Sequence, residues 1–123
     1  MEGAQTTTMP ATQRDVAIIK LGGYLDQSTA HEHEQVLNSL VTSNCYRIIL
    51  DLSDAEYISS AAWGIFISKL KELRDHDGDL KLARMKPDVF EVYQILEFFW
   101  FLKSYDTIEA ALSDFDHNIP PMP

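Results

Sequence analysis

Apolar and polar positions along this chain switch repeatedly between the two-residue period of a strand and the 3.6-residue period of a helix. Val16-Ala17-Ile18-Ile19-Lys20-Leu21 is a β-branched run closed by Gly22-Gly23 and resumed by Tyr24-Leu25-Asp26, which predicts a strand with a bulge at the glycines. Thr6 to Thr12 offers an earlier strand across a turn near Gln13-Arg14-Asp15, and Pro10 confines it to a sheet edge. Behind Thr29, with Glu32 completing a capping box, Ala30, His33, Val36, Leu37 and Leu40 recur at helical spacing to about Thr42–Asn44. Tyr46–Leu52 is an almost unbroken apolar run, as expected of a strand covered on both faces, and an acidic turn should follow it. A long amphipathic helix is predicted from about Ser60 to Asp75, capped by Gly78 in His76-Asp77-Gly78. Leu80–Ala83 reads as a strand, Pro87 opens a helix carrying Val89, Phe90, Val92, Tyr93 and Leu96, and Trp100–Leu102 reads as a last strand. A short helix with Thr107, Glu109, Ala110 and Leu112 closes the pattern.

The order β-β-α-β-α-β-α-β-α predicts an α/β fold: a mixed, mostly parallel central sheet of about five strands with about four helices, its functional loops at the carboxyl ends of the strands. Residues 1–11 are expected to be a flexible segment or an edge strand, and residues 12–113 one domain. Residues 114–123, with three prolines and no periodicity, are expected to be a mobile tail whose removal leaves the fold intact.

Composition narrows the function classes. The 123 residues, 46% hydrophobic, suit a single core. A net charge of −9, from 19 acidic and 10 basic residues, argues against a nucleic-acid or anionic-membrane surface. One cysteine, Cys45, cannot form an intrachain disulfide, and the start of the chain lacks a basic and apolar leader, so the expectation is cytoplasmic with no membrane partner. His31 and His33 sit two apart on a helix and face different ways, and His76 and His117 fall in a turn and the tail. All four read as solvated surface, and no metal or cofactor is expected. Gly22-Gly23 lacks the lysine and spacing of a phosphate loop. Half of Phe98-Phe99-Trp100-Phe101 should fill the core and half form an interaction patch, so the chain is expected to be a monomer or a weak homodimer.

The candidate chemistry lies in Ile58-Ser59-Ser60-Ala61-Ala62-Trp63, where two serines meet a helix start. Unpaired N–H groups and the positive end of the helix dipole stabilise an oxygen or an added phosphate there. Either serine could be a plain N-cap, and Ser60 could instead be a modification point. Ala62, Ile65, Phe66, Lys69, Leu70 and Leu73 define the buried stripe of this helix; Trp63 lies at its edge and is a candidate partner contact.

These residues resemble the sulfate transporter and anti-sigma factor antagonist (STAS) family, and within it the small stand-alone antagonists of bacterial anti-sigma factors. The family pattern is a strand ending D-L-S and then an I-D-S-S-G-L-G-V run; here Asp51-Leu52-Ser53 precedes Ile58-Ser59-Ser60-Ala61-Ala62-Trp63-Gly64-Ile65. Gly23-Tyr24-Leu25-Asp26, Gly78-Asp79-Leu80-Lys81-Leu82 and Tyr105-Asp106-Thr107-Ile108-Glu109-Ala110-Ala111-Leu112 match further family stretches, so the resemblance spans about Thr12 to Leu112.

The resemblance implies a STAS-type fold and a non-enzymatic protein that sequesters an anti-sigma factor with serine-kinase activity and is released by phosphorylation. Ser60 falls on the family's phosphorylatable serine, with Ser59 as the alternative. Asp26, Asp51, Ser53, Ser59, Ser60, Ala61, Ala62 and Trp63 would form the docking face. Ser59 replaces the usual aspartate, Ala61 the second serine and Ala62 a glycine. Asp26, Asp51, Asp54 and Glu56 are expected to surround the switch with negative charge. Two other readings remain open: an unphosphorylated STAS scaffold subunit of a sensory or transport assembly, and a receiver domain with Asp51 as phosphoryl acceptor and Lys103 as charge stabiliser.

Overall fold

The computed structural model describes residues 4–11 and 14–117. Strands β1 (Ala4–Ala11), β2 (Arg14–Leu25), β3 (Arg47–Ile58), β4 (Asp79–Ala83) and β5 (Ser104–Tyr105) lie side by side in that order in one sheet. β1 runs antiparallel to β2 on the edge, and β2 to β5 are parallel to one another. Between and after them come α1 (Gln27–Thr42), α2 (Ser60–Arg74), α3 (Pro87–Ile95), a 3₁₀ turn at Phe98–Trp100, and α4 (Ile108–His117). The mostly parallel α/β architecture agrees with the sequence pattern.

From β2 onward each strand is laid beside its predecessor in the same direction, so handed crossovers put α1, α2 and α3 on one face. There Ile19, Leu21, Leu25, Ile48, Leu50, Leu52, Leu80 and Leu82 meet Leu37, Phe66, Leu70, Leu73, Val89 and Tyr93. α4 covers the other face, where Ala111 and Phe115 pack on Val16, Ile49 and Ala83. Alternate residues of β3 feed the two clusters, which is why its sequence reads as a continuous apolar run.

Several local expectations are corrected. β3 does not end in an acidic turn near Asp51. Its twelve residues stay paired with the equally long β2 as far as Leu25 against Ile58, and the shifts in register fall around Gly22 and Gly23, where Gly23 takes a φ of 75°. α1 is capped by Asp26, not by Thr29: the Asp26 carboxylate accepts from the Ser28 and Thr29 amides while Thr29 Oγ1 accepts from the Asp26 amide at 3.1 Å. At the end of α2 the left-handed residue is Asp77, with φ 62°. Gly78 is required for a different reason, since a Cβ there would lie 1.8 Å from the Tyr46 carbonyl oxygen.

Trp100–Leu102 is no strand: Glu97 reverses the chain in a left-handed conformation, the 3₁₀ turn follows, and pairing with β4 begins only at Ser104. His33 is buried in α1, not solvated, and its burial holds the imidazole pKa below the ordinary value against the opposing charge of Glu32. The expected tail is also overturned at its start. α4 continues to His117, Phe115 repeats the apolar spacing four residues after Ala111 and is buried, and Arg47 Nη1 donates to its carbonyl at 3.1 Å. Residues 118–123 of that expected tail lie outside the described residues.

Candidate functional site

Beyond Asp51, which pairs with Ala83 at the end of β4, strands β2 and β3 project as a two-stranded ribbon. The switch sequence stands at its tip. Ser59 donates its amide to the Leu25 carbonyl at 2.8 Å, which anchors the start of α2 beside the start of α1 and its cap, Asp26.

The two serines have separate positions. Ser59 is the N-cap of α2, in extended conformation, half-buried, with Oγ accepting from the Ala62 amide at 3.3 Å. Ser60 is the first helical residue and is exposed. Its hydroxyl is therefore displayed at the positive end of the helix without the capping duty. Ala61, Gly64 and Ser68 are exposed on the same helix, and a Cβ added at Gly64 would meet nothing within 4 Å, so the surface beside Ser60 is low and open.

Of the other residues expected to meet a partner, Asp26 stays at this end. Its carboxylate takes the Ser28 hydroxyl at 2.6 Å and the Ser28 amide at 2.9 Å. The Ser28 hydroxyl bond, helped by the amides and opposed by slight burial, holds its pKa below the usual carboxylate value. Ala62 and Trp63 point inward and cannot be contacts. Trp63, only 2% exposed, is enclosed by Phe98, Phe66 and Tyr93 with ring centroids at 4.8, 5.9 and 6.2 Å. Asp51 and Ser53 lie down the strand, Asp51 being seven residues below Ile58 or about 23 Å of strand. Asp51 is buried and paired with Arg84 at 3.3 Å, and its Oδ1 accepts from the Ser53 amide.

The expected acidic cluster is thus dispersed. Asp54 pairs with Lys20 at 3.2 Å and Glu56 with Lys86, leaving Asp26 as the carboxylate at the start of the helices with no salt bridge among the described residues. The receiver-like reading fails on the same geometry, because Asp51 sits within a strand against Arg84 and Lys103 lies 3.9 Å from Asp114 instead.

One pair of exposed rings went unnoticed in the sequence. Tyr24 and Tyr57 are direct cross-strand neighbours, 64% and 50% exposed, with centroids 6.1 Å apart, one pair below Leu25 and Ile58. The available signal was a large aromatic at the outward position of each ribbon strand, next to the glycines and the serines.

The STAS domain model matches residues 8–111. BtrV of Bordetella bronchiseptica, a candidate anti-sigma factor antagonist, is 33% identical over 100 residues, covering 81% of this chain and 86% of that protein. The crystal structure of a candidate anti-sigma factor antagonist from Thermotoga maritima superposes with a TM-score of 0.82 at 24% identity, covering 91% of this chain and 93% of that one. The anti-sigma factor antagonist SpoIIAA of Bacillus is similar in fold in two forms. Its unphosphorylated structure gives a TM-score of 0.70 at 18% identity, over 95% of this chain and 100% of that one. The phosphorylated structure gives 0.64 at 18% identity, over 89% and 98%.

Proposed function

The chain belongs to the STAS domain family, and from that premise we propose that it sequesters an anti-sigma factor with serine-kinase activity and is released when Ser60 is phosphorylated. The observation that carries this reading is the division of labour at the start of α2, where Ser59 holds the cap and Ser60 presents an exposed hydroxyl. Relatives named as anti-sigma factor antagonists, and the existence of SpoIIAA in a phosphorylated form, support it.

In this proposal the docking face comprises Ser60, Ala61 and the open surface at Gly64, flanked by Asp26 and by the Tyr24 and Tyr57 rings. The low side chains let a partner backbone approach, and the rings supply rigid apolar area at little entropic cost. A phosphate at Ser60 adds about −1.5 to −2 charges and three acceptor oxygens at the centre of that face. The helix dipole offsets part of the charge within this chain, so the modification disturbs the complex more than the fold. With Asp54 and Glu56 paired to lysines and the Asp26 carboxylate held by Ser28, the repulsion that ends binding would come chiefly from acidic groups on the partner.

Two measurements test the proposal together. Intact mass of the protein recovered from its native host should show a form heavier by one phosphate that is lost in Ser60→Ala. Capture of the host's anti-sigma factor should survive in Ser60→Ala and fail in Ser60→Asp. Equal capture by Ser60→Asp and wild type would overturn the switch. Co-purification of a partner with no phosphate at any growth stage would transfer the chain to the scaffold reading, which the loss of the family's aspartate at Ser59 and glycine at Ala62 otherwise favours.

A further inference from the structure

The stretch from Pro87 to Leu102 holds no cationic residue, and its apolar character is structural as well as compositional. Residues 95–102 carry one charge, Glu97, whose carboxylate accepts from Trp100 Nε1 at 3.4 Å. Phe90, Tyr93, Phe99 and Trp100 form a continuous chain of rings, with successive centroids at 5.6, 6.4 and 5.5 Å. Ile95, Leu96, Trp100 and Phe101 are each more than half exposed, and Trp100, at 73%, is the most exposed large apolar residue among those described.

Six side chains (Phe90, Ile95, Leu96, Phe99, Trp100, Phe101) leave on the order of 650 Å² of apolar surface in water, taking about 200 Å² for each when fully exposed. The largest apolar patch of an ordinary monomer is about 300–600 Å², and a stable interface takes about 800 Å² from each partner. The patch is therefore larger than solubility favours and close to the size of one half of a dimer interface.

Its shape indicates the occupant. Beside the Trp100 knob lies a hollow of about 700 Å³ between α3, β5 and α4, whose walls include Phe90, Tyr93, Phe99 and Lys103. A knob and a hollow on one surface are what a twofold axis requires, since each copy then fills the other's hollow. Lys103 at the rim would meet acidic groups such as Glu91 and Glu97 of the second copy, which gives a chain of net charge −9 a way to associate with itself.

We propose that the chain forms a twofold homodimer through the α3 and 3₁₀ surface centred on Phe99 and Trp100. α3 runs back from the carboxyl end of β4 for nine residues, about 13 Å, and the turn after it is tied to the end of α2 by Arg74 Nη2 donating to the Phe101 carbonyl at 2.6 Å. The turn at the centre of the interface thus lies beside the end of α2, fourteen residues along that helix from Ser60. Both switch surfaces stay open in the dimer, and two copies of the docking face are carried by one particle.

Sedimentation velocity on the full chain from about 1 to 500 µM, with no other protein present, tests this. Wild type should convert from monomer to dimer with a micromolar Kd, and Trp100→Glu should raise the Kd at least about 100-fold. Trp100→Phe should recover much of the association, and far-UV dichroism with thermal melts establishes that each variant folds. A wild type that stays monomeric overturns the proposal, whether residues 118–123 or another protein then cover the patch, and so does association unchanged by Trp100→Glu. Because no anti-sigma factor is present, failure of the dimer and failure of the Ser60 switch are read separately.

Discussion

The two faces of the sheet are closed by different chemistry. On the α1, α2 and α3 side the cluster is aliphatic and aromatic throughout, so its stability follows from area removed from water and from packing density. On the α4 side a small apolar cluster rests on buried charge. Lys81 is fully buried, with Nζ 3.0 Å from Asp114, 3.4 Å from the Tyr105 hydroxyl, 3.5 Å from Asp79 and 4.6 Å above the Phe115 ring centroid. Tyr105 also bonds directly to Asp114. An ammonium out of water is tolerated only while its partners stay in place. The first face should therefore respond to lost volume, and the second to loss of any one partner.

The strongest way to break the second face is to end the chain after Ser113. That removes Phe115 and Asp114 together and leaves Lys81 buried with Asp79 and the Tyr105 hydroxyl. The expected loss is at least about 5 kcal/mol, since an aromatic truncation alone costs about 3–5 kcal/mol and the broken pair adds to it, which approaches the whole stability of a small domain. Denaturant unfolding measures it, and a loss under about 1 kcal/mol would show that α4 ends before it matters.

Trp63→Ala probes the first face. Enclosure by Phe66, Tyr93 and Phe98 predicts a loss of about 4 kcal/mol by the same measurement, with partner affinity per folded molecule unchanged. The reverse outcome, a stable protein that no longer binds, would return Trp63 to the docking face.

Asp114→Asn sharpens the contrast at lower cost, with an expected loss near 2 kcal/mol at neutral pH. Burial alone would push the Asp114 carboxyl up, but hydrogen bonds from Tyr105 and Lys81 and the charges of Lys81 and Lys103 hold it below its ordinary value of 3.8. The folded value is the lower one, so the ionised group stabilises the fold fully above about pH 4, and that stability is lost as pH falls through the folded pKa. Wild type should thus show an acid-side decline that is shallower in Asp114→Asn. Equal slopes would remove Asp114 from the latch.

The order of elements was legible because it rests on local periodicity, and the switch was legible because a strand, two serines and an apolar stripe adjoin one another in sequence. What could not be read depended on distant partners. Asp51 resembles a turn residue until Arg84, 33 positions away, is seen to pair with it inside the sheet. Trp63 sits at the edge of its own helix's stripe, and only α3 and the turn after it, bringing Tyr93 and Phe98, close that edge. Phe115 is the exception, since Ile108, Ala111, Leu112 and Phe115 already follow helical spacing; the prolines beyond it obscured a signal that was present.

The smallest effects are expected where the apolar face meets solvent at the start of α2, and there two adjacent serines should separate stability from function. Ser59→Ala removes the acceptor for the Ala62 amide and should cost about 1 kcal/mol. Ser60→Ala changes an exposed side chain at the first helical position and should fall within about 0.5 kcal/mol of wild type. Phosphorylation by a partner kinase should show the opposite pattern, retained in Ser59→Ala and absent in Ser60→Ala. If Ser59→Ala instead abolished the modification while the fold stayed intact, the cap and the switch would be the same residue. Ser60 would then be only a neighbour, and the docking face would centre on the ribbon tip and not on the exposed side of α2.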